Sequence, residues 1–326
     1  MIETSMRRLW RRRTWRSALL LPAAGLFWLA AALRRAAYRR GLLRSWRCPL
    51  PVVVVGCLTA GGGGKTPTVL ALARQLRARG RRPGVVSRGY GRAGRVPMLV
   101  TEASAPAEVG DEPLLLHAAG LPAAVGADRP AAARLLLANN PGIDVVISDD
   151  GLQHYALQRD VEIVVLSAGY GLGNRWPLPA GPLREPASRL AAVDWVVRRG
   201  GPAGEGEQEL KLESEELRDR TGAPIDPAEL AKEKIAACAG IAEPEAFFAA
   251  LRRLGIEPVR ELAFADHHRY QAADLAGVDA PWLATTAKDA IKLPPDGPDR
   301  RVAVLEQRHV LPAPMVEEID RRTRQA

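Results

Sequence analysis

The sequence predicts an α/β fold, a doubly wound and mostly parallel β-sheet. Apolar runs that do not alternate with polar residues, such as VVVV at residues 52–55, are typical of strands buried on both faces. Amphipathic helical patterns alternate with these runs along the chain, as they do in parallel sheets. At 326 residues the chain exceeds one typical domain, so a second, smaller α/β domain is expected as well.

The first strand runs directly into a glycine-rich loop. The stretch PVVVVGCLTAGGGGKTPTVLALARQL, residues 51–76, places four glycines and a Lys-Thr pair between the strand and an apolar helical stripe. Unpaired N–H groups at a helix N-terminus, together with the helix dipole, favour a phosphate there. The match to G-x-x-x-x-G-K-[ST] lacks the first glycine, because Thr59 occupies that position. The stretch still predicts a P-loop NTPase domain; a flexible glycine turn with a chance Lys-Thr pair is the alternative.

Each residue type in this loop has a predicted role toward a nucleotide. The glycines permit positive φ and close approach of the phosphates. Lys65 would reach the β- and γ-phosphates, and the hydroxyl of Thr66 would hold Mg²⁺. The predicted nucleotide-binding residues are Thr59, Ala60, Gly61, Gly62, Gly63, Gly64, Lys65 and Thr66.

Further strands and helices follow in alternating order. Strands are predicted in RPGVVS (82–87), LPAAVGADR (121–129), both halves of GIDVVISDDGLQHYALQRDVEIVVLS (142–167), KIAACAGIA (234–242), EPVRELAFAD (257–266) and PWLATT (281–286). Helices are predicted in PLLLHAAG (113–120), residues 130–139 and PEAFFAALRRLG (244–255). Ligands of such sheets bind beyond the carboxyl ends of the strands, so the polar residues that follow the strands are expected to converge.

Two of these polar residues are the aspartates that end the strand IDVVIS. Asp149 and Asp150 stand where P-loop proteins place the acid that binds Mg²⁺ directly or through water. A solvated pair of acids in a turn is the competing interpretation. Asp111, in VGDEP, precedes a helix, where it is either an N-cap or a base that accepts a proton from an attacking hydroxyl. The residue types leave both roles open.

Basic charge is concentrated at the N-terminus. Residues 1–50 hold twelve arginines and one acid, a net +11, whereas the whole chain carries +9 and the remaining 276 residues therefore carry −2. This distribution argues against a nucleic-acid-binding module, which would need basic charge on its folded part. The three cysteines are far apart, odd in number and without metal-ligand spacing, which predicts a reducing compartment and no metal cluster.

An uncharged stretch, SALLLPAAGLFWLAAAL at residues 17–33, lies between the arginine clusters. A helix of 17 residues spans roughly 26 Å, slightly less than the hydrocarbon core of about 30 Å. Trp10, Trp15 and Trp46 flank it, as aromatic residues do at membrane interfaces. A membrane-anchoring helix is expected, either spanning the bilayer or lying in its interface; a secretory signal, a nucleic-acid arm and a core helix each explain only part of the pattern.

The predicted organisation has four parts. Residues 1–50 form a basic membrane-anchor segment, and residues 51–200 form the nucleotide-binding domain. A polar, glutamate-rich linker follows at residues 201–234, with a strand possible in ELKLESEEL. Residues 235–326 form the smaller C-terminal α/β domain.

Eight blocks of the sequence together resemble a known enzyme family. They are TAGGGGKTP, SRGYGR, VGDEP, SDDGLQH, GYGLGNRWPLPAGPLREP, AGIAEPEAFFAAL, FADHHRY and TTAKDAIKL, in this order. The chain resembles the tetraacyldisaccharide 4′-kinases of lipid A biosynthesis from the N-terminal apolar helix to about residue 293. It departs from the family pattern at Cys57, Gly63, Leu152 and Ala287. These departures leave Lys65 and the aspartates in place and affect finer loop contacts.

The resemblance implies a P-loop kinase at the cytoplasmic face of the inner membrane. It would transfer the γ-phosphate of ATP, with Mg²⁺, to the 4′-hydroxyl of a tetraacylated glucosamine disaccharide 1-phosphate. The implied roles are catalysis by Lys65, Asp111 as base and His267 as its partner, Mg²⁺ binding by Thr66, Asp149 and Asp150, and positioning of the disaccharide, its phosphate or the nucleotide by Tyr90, His154, Arg184 and Glu185. A membrane-associated P-loop ATPase acting as a positioning switch is the alternative, although its signature lysine would fall at Ala60.

Overall fold

A computed structural model describes residue 6 and residues 8–61, 64–92, 94–294 and 300–326. Gly62 and Gly63, which the sequence predicts to bind nucleotide, lie outside the described residues. Within these ranges, thirteen strands form one sheet with the order β11-β10-β12-β13-β8-β7-β6-β1-β5-β2-β4-β3, and β9 pairs with β8. The fold is the mixed α/β architecture, with a large and mostly parallel sheet, that the sequence predicts.

The first half of the sheet holds the glycine-rich loop. Its strands are β1 (Val52–Gly56), β2 (Pro83–Ser87), β3 (Met98–Leu99), β4 (Ala123–Val125), β5 (Val145–Asp149), β6 (Val161–Ser167) and β7 (Trp195–Arg199). All pair in parallel except β3, which is antiparallel to β4. In β1, Val53 and Val55 pack into one core while Val52 and Val54 pack into the core on the opposite face. This burial on both faces is why the strand is apolar at every position.

The second half begins within the segment predicted to be a linker. Its strands are β8 (Glu207–Arg218), β9 (Pro224–Ile225), β10 (Ile235–Ala239), β11 (Arg260–Ala263), β12 (Trp282–Thr286) and β13 (Arg301–Val310). Residues 207–210 of β8 pair in parallel with β7, and residues 211–218 pair antiparallel with β13. One continuous strand therefore joins the two halves. The domain boundaries drawn from the sequence remain a prediction.

Helices cover both faces of the sheet. They are α1 (Trp15–Ala18), α2 (Leu21–Arg39), α3 (Lys65–Ala78), α4 (Pro106–Val109), α5 (Asp111–Ala118), α6 (Arg129–Asn139), α7 (Pro227–Leu230), α8 (Pro244–Arg253), α9 (Ala287–Ala290) and α10 (Ala313–Gln325). Short 3₁₀ helices lie at Ala187–Ala192 and Ala272–Leu275. Side chains of α3 and α10 pack into the same core, beside β1, whereas side chains of α6 pack into the core on the opposite face.

The C-terminal helix α10 packs against the first half of the sheet, although the sequence-based division groups it with the second. Its residues Met315, Val316 and Ile319 belong to the core that contains Val53 of β1. The buried guanidinium of Arg81, just before β2, adds a 2.8 Å ion pair to Asp320. The amphipathic pattern of α10 predicts a buried face but does not identify the core that the face enters.

The N-terminal apolar stretch is divided between two helices. Helix α1 ends at Ala18 and α2 begins at Leu21, with Pro22 in its first turn, so the stretch does not form the single helix that the sequence predicts. Large apolar side chains of α2 face outward, among them Leu26, Leu29 and Leu33, which are 72%, 57% and 61% exposed. Among the residues that the structure describes, no helix combines the length and hydrophobicity that crossing a bilayer requires.

The packing of α10 yields a stability prediction. Ile319→Ala should lower the free energy of unfolding by about 2–5 kcal/mol, because it leaves a cavity in a fully buried site of the core around β1. Urea denaturation followed by circular dichroism measures the difference. The control, Gln325→Ala at the exposed end of the same helix, should change it by less than about 0.5 kcal/mol. Equal effects of the two substitutions would contradict the assignment of α10 to this core.

Candidate active site

The backbone of the glycine-rich loop is held in place on both sides. At its N-terminal side, the N–H of Ala60 donates to the carbonyl of Pro182 at 2.8 Å, and the N–H of Arg184 donates to the carbonyl of Leu58 at 2.7 Å. At its C-terminal side, Gly64 is the N-cap of α3 and has a φ of 77°. The loop therefore enters the helix at a fixed angle, beside the segment that carries Arg184.

Gly64 is needed for two physical reasons. Its positive φ strains any residue with a side chain. A Cβ at this position would also lie 2.3 Å from Cδ of Arg199, which ends β7. A cleft of about 1130 Å³ opens here, lined by Gly64, Lys65 and Thr66 from the first half of the sheet and by Asp266 and Lys288 from the second half, among other residues. The predicted phosphate loop thus faces a cavity formed by both halves.

Lys65 is buried at the start of α3 and pairs with an aspartate. Its Nζ lies 3.6 Å from Oδ1 of Asp150. Burial opposes the charged form, but negative charge nearby, including that of Asp150 and Glu112, outweighs it and raises the pKa of Lys65. The ammonium therefore stays charged at any physiological pH and is held in place before a phosphate arrives.

Asp150 is held as a carboxylate by two cations. Its backbone has a φ of 49°, a conformation that aspartate tolerates better than most residues. Arg184 donates to its Oδ1 at 3.2 Å, beside the contact from Lys65. Burial raises the pKa of Asp150, but Lys65 and Arg184 together lower it to about 2.

Asp149, at the end of β5, is fully buried, and its negative charge is less well compensated than that of Asp150. Burial, the charge of Glu112 and the charge of Asp150 raise its pKa to about 7, against the opposing effect of Lys65. Ser87 donates to Oδ2 at 3.5 Å, whereas Oδ1 has no hydrogen-bond partner within the described part of the chain. An orphaned carboxylate oxygen beside a second carboxylate offers the hard oxygen ligands that Mg²⁺ prefers. The residues present therefore fit a magnesium ion.

Arg129 supports this strand end and carries no motif that sequence reasoning could detect. It is the first residue of α6 and is 2% exposed. Its guanidinium donates to the carbonyl of Gly126 at 2.6 Å and approaches the carbonyls of Asp149 and Asp150 at 3.5 Å. Burial lowers the pKa of Arg129 to about 10. The guanidinium therefore anchors the turn that presents both aspartates.

Asp111 is paired with groups from the second half of the sheet and is not a helix cap. The N-cap of α5 is Gly110, and Asp111 is the first helical residue. Its Oδ2 lies 3.1 Å from Nδ1 of His267 and 3.5 Å from Nζ of Lys292. Burial raises the pKa of Asp111, but the hydrogen bond from His267 and the charge of Lys292 outweigh it and lower the pKa below its usual value. The carboxylate therefore stays charged.

His267 reaches Asp111 from the second half of the sheet. Its backbone φ of 60° is positive, a conformation that is uncommon outside glycine but that histidine adopts more often than most residues. Its ring packs against Tyr90 with 5.3 Å between ring centroids, and Tyr90 is 59% exposed. The two halves thus already meet at the Asp111–His267 pair in this conformation, without a closing motion.

Comparison with known proteins identifies the family. A profile described as tetraacyldisaccharide-1-P 4′-kinase matches residues 16–324. The chain belongs to the tetraacyldisaccharide-1-P 4′-kinase family. It is 50% identical over 292 residues to the tetraacyldisaccharide 4′-kinase of Chromobacterium violaceum, covering 87% of this chain and 86% of that protein. It is 48% identical over 298 residues to the protein of the same name from Thiobacillus denitrificans, covering 88% and 90%.

A solved structure agrees with the family assignment. The chain resembles a crystal structure of LpxK from Aquifex aeolicus in complex with ATP, with a TM-score of 0.78 and 28% identity. The match covers 95% of this chain and 98% of that one. The predicted α/β fold, with a large and mostly parallel sheet, is confirmed by this likeness.

Two predicted substrate residues lie behind the site of this tetraacyldisaccharide-1-P 4′-kinase family member. His154 accepts the backbone N–H of Arg129 at 3.3 Å, and burial lowers its pKa to about 4. Glu185 is buried, accepts the hydroxyl of Tyr155 at 2.6 Å and lies 3.3 Å from Nε of Arg189. Both side chains support neighbouring segments here, and their roles toward a substrate remain predictions. Arg184 lies in the site itself through its contact with Asp150.

Side chains of the block TTAKDAIKL also contact the site. In the sequence, this block stood out only as one of the eight that carry the family resemblance. Asp289 is fully buried and accepts the N–H of Gly240 at 2.9 Å and the hydroxyl of Thr286 at 2.7 Å. Lys292 lies 2.8 Å from Asp289 and also contacts Asp111.

The close contact at Gly64 yields a binding prediction. Gly64→Ala should weaken ATP affinity on the order of tenfold or more, about 1.4 kcal/mol, because the new Cβ displaces Arg199 or the loop. Isothermal titration calorimetry measures the affinity. Gly80→Ala is the matched control, since Gly80 has a φ of 79° but no atom within 4 Å of an added Cβ. It should leave ATP affinity unchanged; an equal loss in both variants would contradict the steric argument.

Proposed function

We propose that this chain transfers the γ-phosphate of ATP to the 4′-hydroxyl of a tetraacyldisaccharide 1-phosphate in lipid A biosynthesis. The observation that carries the proposal is the Asp111–His267 pair, 3.1 Å apart, beside a cleft lined by Lys65 and Thr66 of the phosphate loop. A positioned carboxylate next to a phosphate-binding loop is the arrangement that phosphoryl transfer to a hydroxyl requires.

On this proposal the phosphate loop binds and orients the nucleotide. The helix N-terminus and Lys65 bind the β- and γ-phosphates, and Arg184 adds a second cation at the same place. Thr66, Asp149 and Asp150 would hold Mg²⁺, which, when bound, neutralises charge on the phosphates. The ammonium of Lys65 then exchanges part of its contact with Asp150 for contact with phosphate oxygens. Because the ammonium is already buried, phosphate binding does not have to remove it from water.

Asp111 acts as the base toward the acceptor. As the 4′-oxygen forms its bond to the γ-phosphorus, the bond from that phosphorus to the β–γ bridging oxygen breaks and ADP leaves. The hydroxyl proton passes to a carboxylate oxygen of Asp111. His267 holds the carboxylate through Oδ2, which leaves Oδ1 for the hydroxyl. Tyr90, His154 and Glu185 are proposed to position the disaccharide or its phosphate.

The N-terminal helices are proposed to bring the site to a membrane surface. A substrate with four acyl chains remains in the bilayer, so the enzyme must act at the interface. Exposed Leu26, Leu29 and Leu33 on α2 supply apolar surface, and the arginines on either side supply charge for anionic head groups. We place the enzyme at the inner membrane with its active site facing the cytoplasm and residues 1–50 as the anchor segment.

The kinase assay tests the proposed function. Purified protein should transfer labelled γ-phosphate from Mg²⁺-ATP to tetraacyldisaccharide 1-phosphate in detergent micelles, and Lys65→Ala should abolish the transfer. Asp111→Asn should lower kcat about 10²–10⁴-fold while ATP binding persists, because only the base is lost. Full activity of Asp111→Asn would end the base role. Folded protein that hydrolyses ATP without ever labelling the lipid would favour a membrane-associated P-loop ATPase instead.

The membrane proposal has its own test. Leu26→Glu combined with Leu33→Glu should reduce the fraction of protein that floats with vesicles containing anionic lipid by about tenfold, since charge then replaces apolar surface in the interface. The control is Leu212→Glu, at an exposed position on β8. Unchanged flotation of the double variant would contradict the role of α2.

A further inference from the structure

A second lysine of the cleft, Lys288 on α9, lies against the far side of the His267 ring. Its Nζ is 3.4 Å from Nε2 of His267 and 2.9 Å from Oδ1 of Asp266. The same ammonium lies 3.9 Å from Oε1 of Glu112, and the side chain is 16% exposed. The ring of His267 is thus held between an ammonium on Nε2 and the carboxylate of Asp111 on Nδ1.

Hydrogen-bond chemistry allows only one arrangement of protons here. An ammonium has three donors and no acceptor, so a ring nitrogen that contacts it must offer a lone pair. Asp266 does not accept a proton from Nε2, because its Oδ1 is 3.8 Å from that nitrogen. This oxygen already accepts hydrogen bonds from Nζ of Lys288 and from the backbone N–H of His267. The ring proton then sits on Nδ1 and is donated to Oδ2 of Asp111.

Charged groups of both signs face the ring, and the ammonium of Lys288 is the one in front of Nε2. Asp111 and Glu112 face it from α5, Asp266 from its own loop, Lys288 and Lys292 from the segment of α9, and Tyr90 from the loop after β2. Burial opposes the charge on Lys288, but Asp266 and Glu112 outweigh it and raise the pKa of Lys288. The ammonium therefore persists, and a second proton on the ring would place two like charges 3.4 Å apart.

We propose that Lys288 is a positioning residue that keeps His267 neutral, with its one proton on Nδ1. His267 then donates its hydrogen bond to Asp111 as a neutral imidazole and not as an imidazolium. A cationic ring would stabilise the carboxylate further and make it a weaker acceptor for the hydroxyl proton. The inference rests on the proposed function, because it presupposes that Asp111 is the base.

The wild-type protein provides the first test. Side-chain ¹⁵N NMR distinguishes a protonated ring nitrogen from one with a free lone pair, and the His267 signals are assigned by their loss in His267→Gln. The expected result at neutral pH is a protonated Nδ1 and a lone pair on Nε2. A proton on Nε2 would overturn the proposal, whatever any variant does.

Lys288→Met provides the second test. Without the ammonium, no donor faces Nε2 of His267, so the ¹⁵N spectrum of this variant at neutral pH should show a proton on that nitrogen. The acid limb of the pH profile of kcat/KM should move to higher pH as well, because Lys288 also lowers the pKa of Asp111. Lys288→Arg, which retains a donor, should restore both the lone pair on Nε2 and the profile. An Nε2 that keeps its lone pair in Lys288→Met would mean that Lys288 has a structural role only.

Controls separate this inference from the proposed function. Lys234→Met removes a surface ammonium that pairs with Asp279 in the same half of the protein, and it should change neither the NMR signals nor the profile. If the wild type never phosphorylates the lipid, the proposed function fails, while the NMR measurement still decides the tautomer. If the wild type is an active kinase and Nε2 carries the proton, only the role of Lys288 fails.

Discussion

The compensation of buried negative charge at the carboxyl edge of the sheet is the constraint on which the site depends. Asp149 and Asp150 end β5 in the interior, where an isolated carboxylate is costly. Lys65 and Arg184 contact Asp150, and Arg129 anchors the turn through its carbonyl contacts. Oδ1 of Asp149 has no hydrogen-bond partner among the residues that the structure describes. Positive charge is thus already assembled where phosphates are expected, and negative charge where a metal ion is expected.

The carboxylate of Asp111, the proposed base, is likewise held by neighbouring groups. Asp111 is charged because His267 and Lys292 both contact its Oδ2. His267 comes from the second half of the sheet, which β8 joins to the first as a continuous strand. The Asp111–His267 contact therefore depends on a sheet that neither half forms alone.

Sequence reasoning succeeded where the signal is local. The non-alternating valines of β1 and the Gly-Lys-Thr sequence before α3 predict the strand, the loop and the helix from neighbouring residues alone. Sequence reasoning was less successful where one sequence pattern fits two different structures. VGDEP suits either an N-cap or a base, and the structure, in which Gly110 is the N-cap, excludes the first of these. The apolar stretch at residues 17–33 contains Pro22, which allowed a break that hydropathy does not indicate.

By itself, the sequence determined the phosphate loop and the aspartates at the end of β5, because each depends on residue types at short and fixed spacings. It also determined the α/β class, from the alternation of apolar runs and helical patterns, and the family, from eight blocks in a fixed order. Only the tertiary structure decided which distant groups touch. Arg129, Lys288 and Lys292 acquire their partners through strand order and helix packing, and α10 enters the core around β1 for the same reason. Contacts between residues far apart in sequence depend on the whole sheet, which no local pattern encodes.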